Sequence, residues 1–341
     1  MQKPKHYTIP IFTPEMACPF RCVFCNQQKI SGHIKSPDFY EVKQTIQTYL
    51  STFKVRNRRV EVGFFGGTFT GMPETIQEKY LETVQPFLRS GAIDGIRLST
   101  RPDYIDEKVL HRLKHYGVTT IELGAQSLDD EVLRLSRRGH TVQQVEQASA
   151  RIKKAGFDLG LQMMIGLPGD TLKKAQATAD KIIAFGASHT RIYPTLVIKD
   201  TVLHRWYRQG KYQPLSLNEA VDWSKLLLLQ FEKAGVQVIR MGLHPSEGLL
   251  NGTERIAGPF HPSFRELVLT AIWHDLLAKK WNKENSLFRK KRLKINVNPK
   301  ELNYAVGYGG KNRKMLQNYF QQVSFSAHSS LQDRAFTYEI F

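Results

Sequence analysis

All three cysteines of the sequence lie within one short segment. Cys18, Cys22 and Cys25 have the spacing C-x3-C-x2-C. Cysteines spaced this closely can supply three thiolates from one loop to a single iron–sulfur cluster. Because the sequence contains no fourth cysteine, one iron of a 4Fe-4S cluster would have no protein thiolate. That iron is open to a small molecule that offers amino and carboxylate groups as ligands.

S-adenosylmethionine carries both of these groups, and its sulfonium would then lie beside the cluster. A one-electron reduction at that place releases a deoxyadenosyl radical. A structural zinc site is the alternative, because Cys3His sites are common and His33 follows Cys25 at a short distance. Such zinc sites usually contain two Cys-x2-Cys pairs, whereas this sequence has one group of cysteines with the aromatic Phe24 before the last.

Short apolar segments alternate with segments of helical periodicity along the first two thirds of the chain. Strands are predicted at residues 8–12, 60–65, 95–100, 119–123, 159–165 and 190–197. Helices are predicted at residues 38–53, 74–88, 106–115, 129–136, 142–154 and 171–185. About six βα units in alternation predict an α/β fold with a parallel sheet, a partial TIM-type barrel.

The remaining third of the chain changes character. Predicted elements before residue 241 are helices at 201–209 and 217–234 and a strand at 236–240. Glycines and prolines between residues 241 and 262 mark a boundary. Predicted elements beyond it are a helix at 263–280, a strand at 293–297 and a helix near 311–320. We therefore expect a core barrel with flanking helices at 1–240 and a small α+β extension at 241–341.

Polar and glycine-rich residues follow several of the predicted strands. They are Gly66-Gly67-Thr68, Arg101-Pro102-Asp103, Gln126 and Gly166-Leu167-Pro168-Gly169. The carboxyl ends of parallel strands carry the active site in barrels and in open α/β sheets. The pattern therefore predicts an active face at that edge of the sheet.

The composition, with 41% hydrophobic and 23% charged residues among 341, is that of a folded globular protein. Residues 1–12 lack the apolar stretch of a signal peptide, and no run reaches the roughly 18 apolar residues of a membrane span. Three cysteines cannot form a fully paired disulfide framework, and they suit a reducing compartment. We expect a cytoplasmic protein without a membrane segment.

The formal net charge is +18 and the isoelectric point is near 9.7. This excess favours a polyanionic partner, although exposed lysines can also be no more than a solvated surface. From residue 261 onward there are 14 Lys and Arg residues against 6 Asp and Glu residues. The densest run is Arg289-Lys290-Lys291-Arg292.

The cysteine segment resembles the signature of the radical S-adenosylmethionine superfamily, C-x3-C-x-aromatic-C, with Phe24 as the aromatic residue. The resemblance implies a 4Fe-4S cluster on the three cysteines and S-adenosylmethionine as cofactor, with Phe24 among the residues that contact the cofactor. Gly66-Gly67-Thr68 is similar to the family's Gly-Gly-acid loop, whose backbone carbonyls meet the methionyl amino group. Taken alone, this segment is equally typical of an ordinary turn.

A branch of this superfamily that contains the oxygen-independent coproporphyrinogen dehydrogenases shows further similarity. Gln126 resembles its ribose-contacting Gln, and Arg138 resembles its carboxylate-pairing Arg, a side chain suited to a bidentate contact. Met164 lies in a segment similar to the branch's fifth-strand motif near the adenine, with Gln162 at a position that is polar in relatives. The alternative is that Arg138 is a surface cation and Gln126 a hydrogen-bonded loop amide.

Residues from about 10 to 215 are also similar to the Elongator catalytic subunit, whose radical domain modifies the wobble uridine of tRNA. The similarity lies in the strings that surround Ser99, Gln126 and Arg138 and in the segment 192–199. Ser99 takes the place of an acidic residue that contacts the ribose in relatives. Leu196 is implied to contact the cofactor, and the first cysteine gap is shorter here. The segment after Pro262 is too short for an acetyltransferase domain, so acetyl-CoA chemistry by this chain alone is not expected.

The leading hypothesis is a radical enzyme that acts on RNA, with tRNA as the expected partner and a flavodoxin or ferredoxin as reductant. Tyr193 and Lys199 are candidate catalytic residues that could line a substrate pocket. The alternative is that they are a core tyrosine and a surface lysine. A second hypothesis is a radical enzyme for a small acidic or tetrapyrrole-like substrate. A third is a non-catalytic iron–sulfur or haem-handling protein.

Overall fold

The structure is a computed structural model that describes residues 4–13, 22–26, 29–30, 32, 35–55, 57–281 and 288–341. The chain divides into two compact units. The first comprises Met1–Ser216 and Leu229–Phe260, and the second comprises Leu217–Leu228 and His261–Phe341. The domain boundary after residue 240 stays a prediction.

Strands of the first unit form a seven-stranded sheet and a small two-stranded one. In chain order they are β1 Lys5–Thr13, β2 Arg58–Gly66, β3 Gly95–Thr100, β4 Val118–Gln126, β5 Asp158–Ile165, β6 His189–Pro194, β7 Val197–Ile198, β8 Gln237–Met241 and β9 Arg255–Ala257. The large sheet has the order β1-β2-β3-β4-β5-β6-β8, and all of its pairings are parallel. This curled half-barrel confirms the predicted partial TIM-type barrel.

Helices alternate with these strands, as the hydrophobic periodicity predicts. They are α1 Phe39–Thr52, α2 Glu74–Arg89, α3 Glu107–His115, α4 Asp130–Leu135, α5 Val142–Lys154, α6 Leu172–Ala184, α7 Val202–Arg208, α8 Leu217–Lys233 and α9 Glu247–Leu250. Within the described residues, no helix combines the length and the apolar character needed to cross a membrane.

Local sequence fixes where two of these helices begin. The Asp38 carboxylate accepts a hydrogen bond from the Glu41 N–H, and the Glu41 carboxylate accepts one from the Asp38 N–H, both at 2.8 Å. Thr141 and Gln144 form the same reciprocal pair before α5. These capping boxes satisfy N–H groups that have no partner within the helix, so each helix starts at a defined residue.

The strand predicted at 190–197 is wrong in its extent, because β6 ends at Pro194. Proline has no N–H and cannot donate to the ladder of a sheet. Beyond it, Thr195 donates its N–H to the Ile165 carbonyl at 2.9 Å. Val197 and Ile198 then pair with β9 in antiparallel fashion instead of extending the large sheet.

The second unit contains a long helix and a small mixed sheet. Its elements from residue 261 onward are α10 Phe264–Trp281, β10 Arg292–Val297, α11 Leu302–Val306, α12 Lys311–Gln317, β11 Gln322–Ala327 and β12 Phe336–Ile340. The sheet order is β11-β10-β12, with β10 parallel to β11 and antiparallel to β12. Buried Trp273, Leu277, Ile295 and Leu316 lie in its apolar core. The predicted α+β extension is confirmed.

Candidate active site

The candidate site residues lie at or beyond the carboxyl ends of the parallel strands. Gly66 ends β2 and Gln126 ends β4. The cysteine segment follows β1, which ends at Thr13. Cys18 belongs to residues 14–21, and neither it nor His33 is among the described residues. The structure therefore describes two of the three predicted cluster ligands, Cys22 and Cys25.

Backbone hydrogen bonds hold the segment with these two cysteines in place. Val23 donates its N–H to the Ser136 carbonyl at 3.1 Å and accepts at its own carbonyl from the Leu203 N–H at 2.7 Å. The Cys25 N–H donates to the Cys22 carbonyl at 3.1 Å, which closes a tight turn between the two thiols. Residues distant in sequence thus fix the direction of this turn.

Phe24, predicted from the resemblance to contact the cofactor, is 8% exposed. Its ring belongs to an apolar cluster that includes Val132, Leu167 and Tyr212. This packing anchors the turn that carries Cys22 and Cys25. Leu196, with the same predicted role, is 4% exposed and lies in another apolar cluster, with Ile198 and Leu249. Their contact with a cofactor stays a prediction.

Arg138 is buried against Cys22. Its Nη1 lies 3.6 Å from the Cys22 Sγ, and its Nη2 donates to the Gly124 carbonyl at 2.7 Å. Arg138 is 7% exposed, and its buried Nε has no hydrogen-bond partner among the described residues. A buried guanidinium next to a thiol is not a surface cation, and one of its N–H groups remains available to a ligand.

Gln126 approaches the same point from the end of β4. It is 7% exposed and has φ 65°, a left-handed conformation that is unusual outside glycine. The Gln162 side chain donates to the Gln126 amide oxygen at 3.1 Å. A Cβ added at Gly124 would lie 2.8 Å from the Arg138 Nη2 and 2.9 Å from the Gln126 Nε2. The bare backbone of Gly124 therefore allows Arg138 and Gln126 to converge.

We name this group, which consists of Cys22, Gly124, Gln126, Arg138 and Gln162, the Arg138 cluster. Met164 lies two residues after Gln162 on β5 and is partly buried beside the apolar cluster of the cysteine turn. The sequence separation between its members is up to 140 residues, from Cys22 to Gln162. The parallel register of β4 and β5, with Gly124 opposite Gln162, brings them together.

The other predicted cofactor residues lie on neighbouring strand ends. Gly66 has φ 106°, a conformation that favours glycine, and leads into Gly67 and the buried Thr68. Ser99 is half-buried on β3, where it pairs with Glu122 of β4. No described hydrogen bond joins the side chains of Thr68 or Ser99 to the Arg138 cluster.

Tyr193 and Lys199, the candidate catalytic residues, differ in environment. Tyr193 is half-buried on β6, and its phenol oxygen accepts a hydrogen bond from the Arg191 Nη1 at 3.4 Å. Lys199 follows β7 and is exposed, and its backbone N–H donates to the Glu254 carbonyl. The structure thus places Tyr193 inside the sheet's polar interior and Lys199 on the surface.

A network of buried charges that leads to Tyr193 was not predicted from the sequence. The Glu122 carboxylate, 3% exposed, accepts two hydrogen bonds from Arg191 and lies 3.0 Å from the Arg97 Nε. Burial raises the pKa of Glu122, but the charges of Arg191 and Arg97 outweigh this and lower it overall. A single charged residue within each of three otherwise uncharged predicted strands, Arg97, Glu122 and Arg191, was the signal that could have revealed this network.

His140 lies behind the Arg138 cluster. Its Nε2 is 3.3 Å from the Ala125 carbonyl oxygen. Burial, followed by the charges of Arg138 and Arg101, lowers the pKa of His140 to about 2. The Arg101 guanidinium is held by two hydrogen bonds to Asp103, at 2.9 and 3.0 Å. His140 is therefore a neutral, buried ring beside the buried cations.

A cavity of ≈ 360 Å³ lies beside the segment 166–170 that follows β5. Leu135, Trp206 and Tyr212 line it, and the Tyr212 hydroxyl donates to the Gly166 carbonyl at 2.6 Å. Burial raises the pKa of Asp170 to about 6, although this carboxylate accepts hydrogen bonds from the Gly166 and Thr171 N–H groups. The cavity is close to the segment predicted to meet an adenine.

The chemistry of the described residues fits a cysteine-ligated iron–sulfur cluster with an anionic ligand beside it. Thiolates are the ligands that such clusters require, and Arg138 adds a buried positive charge with a free N–H next to Cys22. In the part of the chain that the structure describes, no group of three His, Cys, Asp or Glu side chains is arranged to hold a metal ion. Cys18, the third predicted ligand, lies outside that part.

Comparison with known proteins supports this interpretation. Residues 16–182 match the Radical SAM superfamily, and residues 187–274 match the Radical_SAM C-terminal domain. The chain is 26% identical over 239 residues to the tRNA uridine(34) acetyltransferase of Dehalococcoides mccartyi. This alignment covers 60% of this chain and 52% of that protein. It is 32% identical over 184 residues to Elongator complex protein 3 of Saccharomyces cerevisiae, covering 48% and 33%. The chain thus spans about half, or less, of these relatives.

Solved structures share the fold. The archaeal Methanocaldococcus infernus Elp3 with an N-terminal deletion aligns with 82% of this chain and 64% of its own, at a TM-score of 0.63 and 21% identity. Streptococcus suis SuiB aligns with 70% of this chain and 49% of its own, at a TM-score of 0.50 and 12% identity. From its two matched regions and its cysteine segment, this chain belongs to the radical S-adenosylmethionine superfamily, whose enzymes use a 4Fe-4S cluster and S-adenosylmethionine.

Proposed function

We propose that the chain binds S-adenosylmethionine at the Arg138 cluster, cleaves it reductively and uses the resulting radical to modify a uridine of tRNA, of the wobble type. One observation carries the first part of this proposal. Arg138 is buried 3.6 Å from the Cys22 Sγ while its Nε has no described partner. A guanidinium in this state is suited to bind the carboxylate of a ligand that lies beside the cysteines.

Cys18, Cys22 and Cys25 would hold the cluster, which when bound supplies the electron that cleaves S-adenosylmethionine. The Arg138 guanidinium would bind and orient the methionyl carboxylate. Gln126 and Gln162, which already form one hydrogen bond with each other, present further amide groups for the ribose. Phe24 excludes water from the inner side of the cysteine turn, because its ring is packed into an apolar cluster.

Two observations support tRNA as the substrate. Relatives named tRNA uridine(34) acetyltransferase and Elongator complex protein 3 are 26–32% identical to this chain over 48–60% of its length. The net charge of +18 provides the electrostatic attraction that binding to a polyanion needs. A tRNA substrate must reach the strand ends, where Tyr193 is half-buried and could contact the uridine.

The radical chemistry can be tested on the full chain after anaerobic reconstitution with iron and sulfide. Incubation with dithionite and S-adenosylmethionine should produce deoxyadenosine, measured by liquid chromatography. Replacing dithionite by a reduced flavodoxin or ferredoxin tests the proposed reductant. Cys22→Ala and Cys25→Ala should lose both the cluster absorbance and deoxyadenosine. An intact cluster that yields no deoxyadenosine would contradict the enzymatic role.

The substrate can be identified by mass spectrometry of tRNA nucleosides from a strain that lacks the gene. A modified uridine should be missing, and expression of the wild-type chain should restore it. Expression of Arg138→Ala, which should fold but bind the cofactor poorly, should not. An unchanged nucleoside profile would reject tRNA as substrate, and accumulation of a porphyrin precursor would instead favour the coproporphyrinogen-type alternative.

A further inference from the structure

The second unit contains a glycine-rich loop that the proposed radical chemistry does not use. Gly307-Tyr308-Gly309-Gly310 connects α11 to α12 and has the form Gly-x-x-Gly. The loop lies beyond residue 274, where the matched family regions end. Its position between two short helices distinguishes it from the turns that connect strands to helices in the first unit.

The elements around this loop follow a recognisable order. β10 leads into α11, the loop follows, and α12 leads into β11, which pairs with β10 in parallel over Arg292–Val297 and Gln322–Ala327. A strand, a helix, a Gly-x-x-Gly loop, a helix and a strand in this order form the core of KH domains. In KH domains the loop clamps the backbone of a single-stranded nucleic acid.

The conformation of the loop leaves the backbone of Gly309 exposed. Gly307 has φ 86° and ψ 151°, a region that is essentially restricted to glycine. Gly309 and Gly310 have φ 61° and 73°, and Gly309 is exposed. A Cβ added at either of the last two would meet no atom within 4 Å. A phosphate can therefore approach this backbone without steric conflict.

The loop is also held rigidly from behind. The Tyr308 N–H donates to the Thr270 hydroxyl at 2.9 Å. Buried Asn312 donates to the carbonyls of Thr270 and Tyr304, at 3.1 and 3.3 Å. A Cβ at Gly307 would lie 2.9 Å from the Asn312 backbone nitrogen, so the loop folds closely onto this residue. A loop that is ordered before binding loses little conformational entropy on binding.

The charge around the loop suits a polyanion. Lys311, Arg313 and Lys314 follow it directly, and all three side chains are exposed. None of them forms an ion pair with an acidic residue in the described chain. The sequence from residue 302 to residue 332 contains no Asp or Glu. Phosphates that reach the loop would therefore meet these three cations, and the segment from 302 to 332 itself contributes no carboxylate.

We propose that the loop Gly307–Gly310, together with Lys311, Arg313 and Lys314, binds the sugar–phosphate backbone of single-stranded RNA. This inference extends the proposed function, and the choice of RNA as the polyanion rests on that proposed function. The loop would hold about four nucleotides, the length that KH loops clamp. It would present an unpaired segment of the substrate without reading its sequence through the glycines.

Binding can be measured by fluorescence anisotropy with the reconstituted full chain and a fluorescein-labelled oligouridine. Gly309→Asp places a carboxylate in the open space of the loop, and Asp tolerates the left-handed conformation of this residue. Gly309→Asn has nearly the same shape without the charge. Gly91→Asp is the matched control in the first unit, because Gly91 has φ 69° and also has no atom within 4 Å of an added Cβ.

Gly309→Asp should raise the dissociation constant about tenfold or more, since it replaces a favourable phosphate contact by repulsion. Gly309→Asn should stay within about threefold of the wild type, and Gly91→Asp should be unchanged. Thermal unfolding of the three variants should be similar. The proposal would be overturned if Gly309→Asp and Gly309→Asn bound the oligouridine equally. It would also be overturned if the wild type bound an RNA duplex as tightly as it binds the oligouridine.

The same proteins separate this proposal from the radical chemistry. Deoxyadenosine formation without RNA requires the three cysteines and the Arg138 cluster but not the Gly-x-x-Gly loop, so Gly309→Asp should retain wild-type activity in that assay. Loss of RNA binding with full deoxyadenosine formation supports the loop as the binding site. A wild type that forms deoxyadenosine but shows no affinity for single-stranded RNA would overturn the loop proposal and leave the radical chemistry intact.

Discussion

The guanidinium of Arg138 lies 3.6 Å from the Cys22 Sγ and at the same time donates to the Gly124 carbonyl at 2.7 Å. The two contacts point in different directions from one planar group, which only arginine can provide. They link the cysteine turn after β1 to the end of β4. The arrangement ties the orientation of a cluster ligand to the place where a carboxylate would bind.

Arg138→Lys should reduce the rate of deoxyadenosine formation at least about tenfold, because one ammonium cannot make both charge-assisted contacts and bind a carboxylate. The Michaelis constant for S-adenosylmethionine should rise, while the iron content per chain should remain near that of the wild type. Arg134→Lys, an exposed site in α4, is the control. Equal activity of the two variants would show that the guanidinium geometry is irrelevant.

Two substitutions of Gln126 should differ in stability but should both weaken cofactor binding. Because its φ is 65°, Gln126→Gly should be more stable to urea than Gln126→Ala by about 1 kcal/mol. Both variants should bind S-adenosylmethionine more weakly, since both lose the amide that contacts Gln162. At Gln147, exposed within α5, the order should reverse, with the Gly variant less stable by about 1 kcal/mol. The same order at both sites would argue against strain at Gln126.

Stability should fall as the solution is acidified below the ordinary pKa of histidine. The pKa of folded His140 is lowered to about 2, by burial first and then by Arg138 and Arg101, whereas unfolded His140 binds a proton near pH 6.5. Between these values the unfolded state carries more protons, so His140 removes about 1.4 kcal/mol of stability per pH unit on acidification. His189, whose pKa is lowered to about 4 mainly by burial, acts in the same direction.

His140→Gln should therefore flatten the dependence of the unfolding free energy on pH between about 6.5 and 4.5 by roughly one proton. Urea denaturation at several pH values measures this slope directly. His111→Gln changes an exposed histidine of α3 and should retain the wild-type slope. A wild-type slope in His140→Gln would mean that this ring is protonated in the folded protein.

The basic run 289–292 should contribute to RNA affinity through charge alone. Lys290→Ala combined with Lys291→Ala should weaken binding to bulk tRNA and reduce the salt dependence of log K by about 2, one for each lost phosphate contact. Lys43→Ala combined with Lys79→Ala removes two exposed lysines of α1 and α2 and should leave the slope unchanged. Filter binding at several salt concentrations distinguishes the pairs, and identical slopes would exclude the run from the RNA contact.

Much of the fold was predictable because its signals are local. Apolar periodicity indicated the alternating strands and helices, and Asp38 and Thr141 marked helix starts through their own side chains. The strand predicted through residue 197 extended too far, because β6 ends at Pro194 and Val197 and Ile198 pair with β9 instead. β11 and β12 were not predicted, although both strands alternate apolar and polar residues and pair with β10 in the structure.

Cysteine spacing and the order of βα units determined the superfamily and the edge of the sheet that carries the site, since both are written along the chain. Tertiary structure alone decided that Arg138 meets Cys22 across 116 positions, and that Arg191 pairs with Glu122 inside the sheet. It also decided that the two helices on either side of the Gly-x-x-Gly loop connect the parallel strands β10 and β11. Such contacts depend on strand register and on the packing of distant elements, which no local pattern specifies.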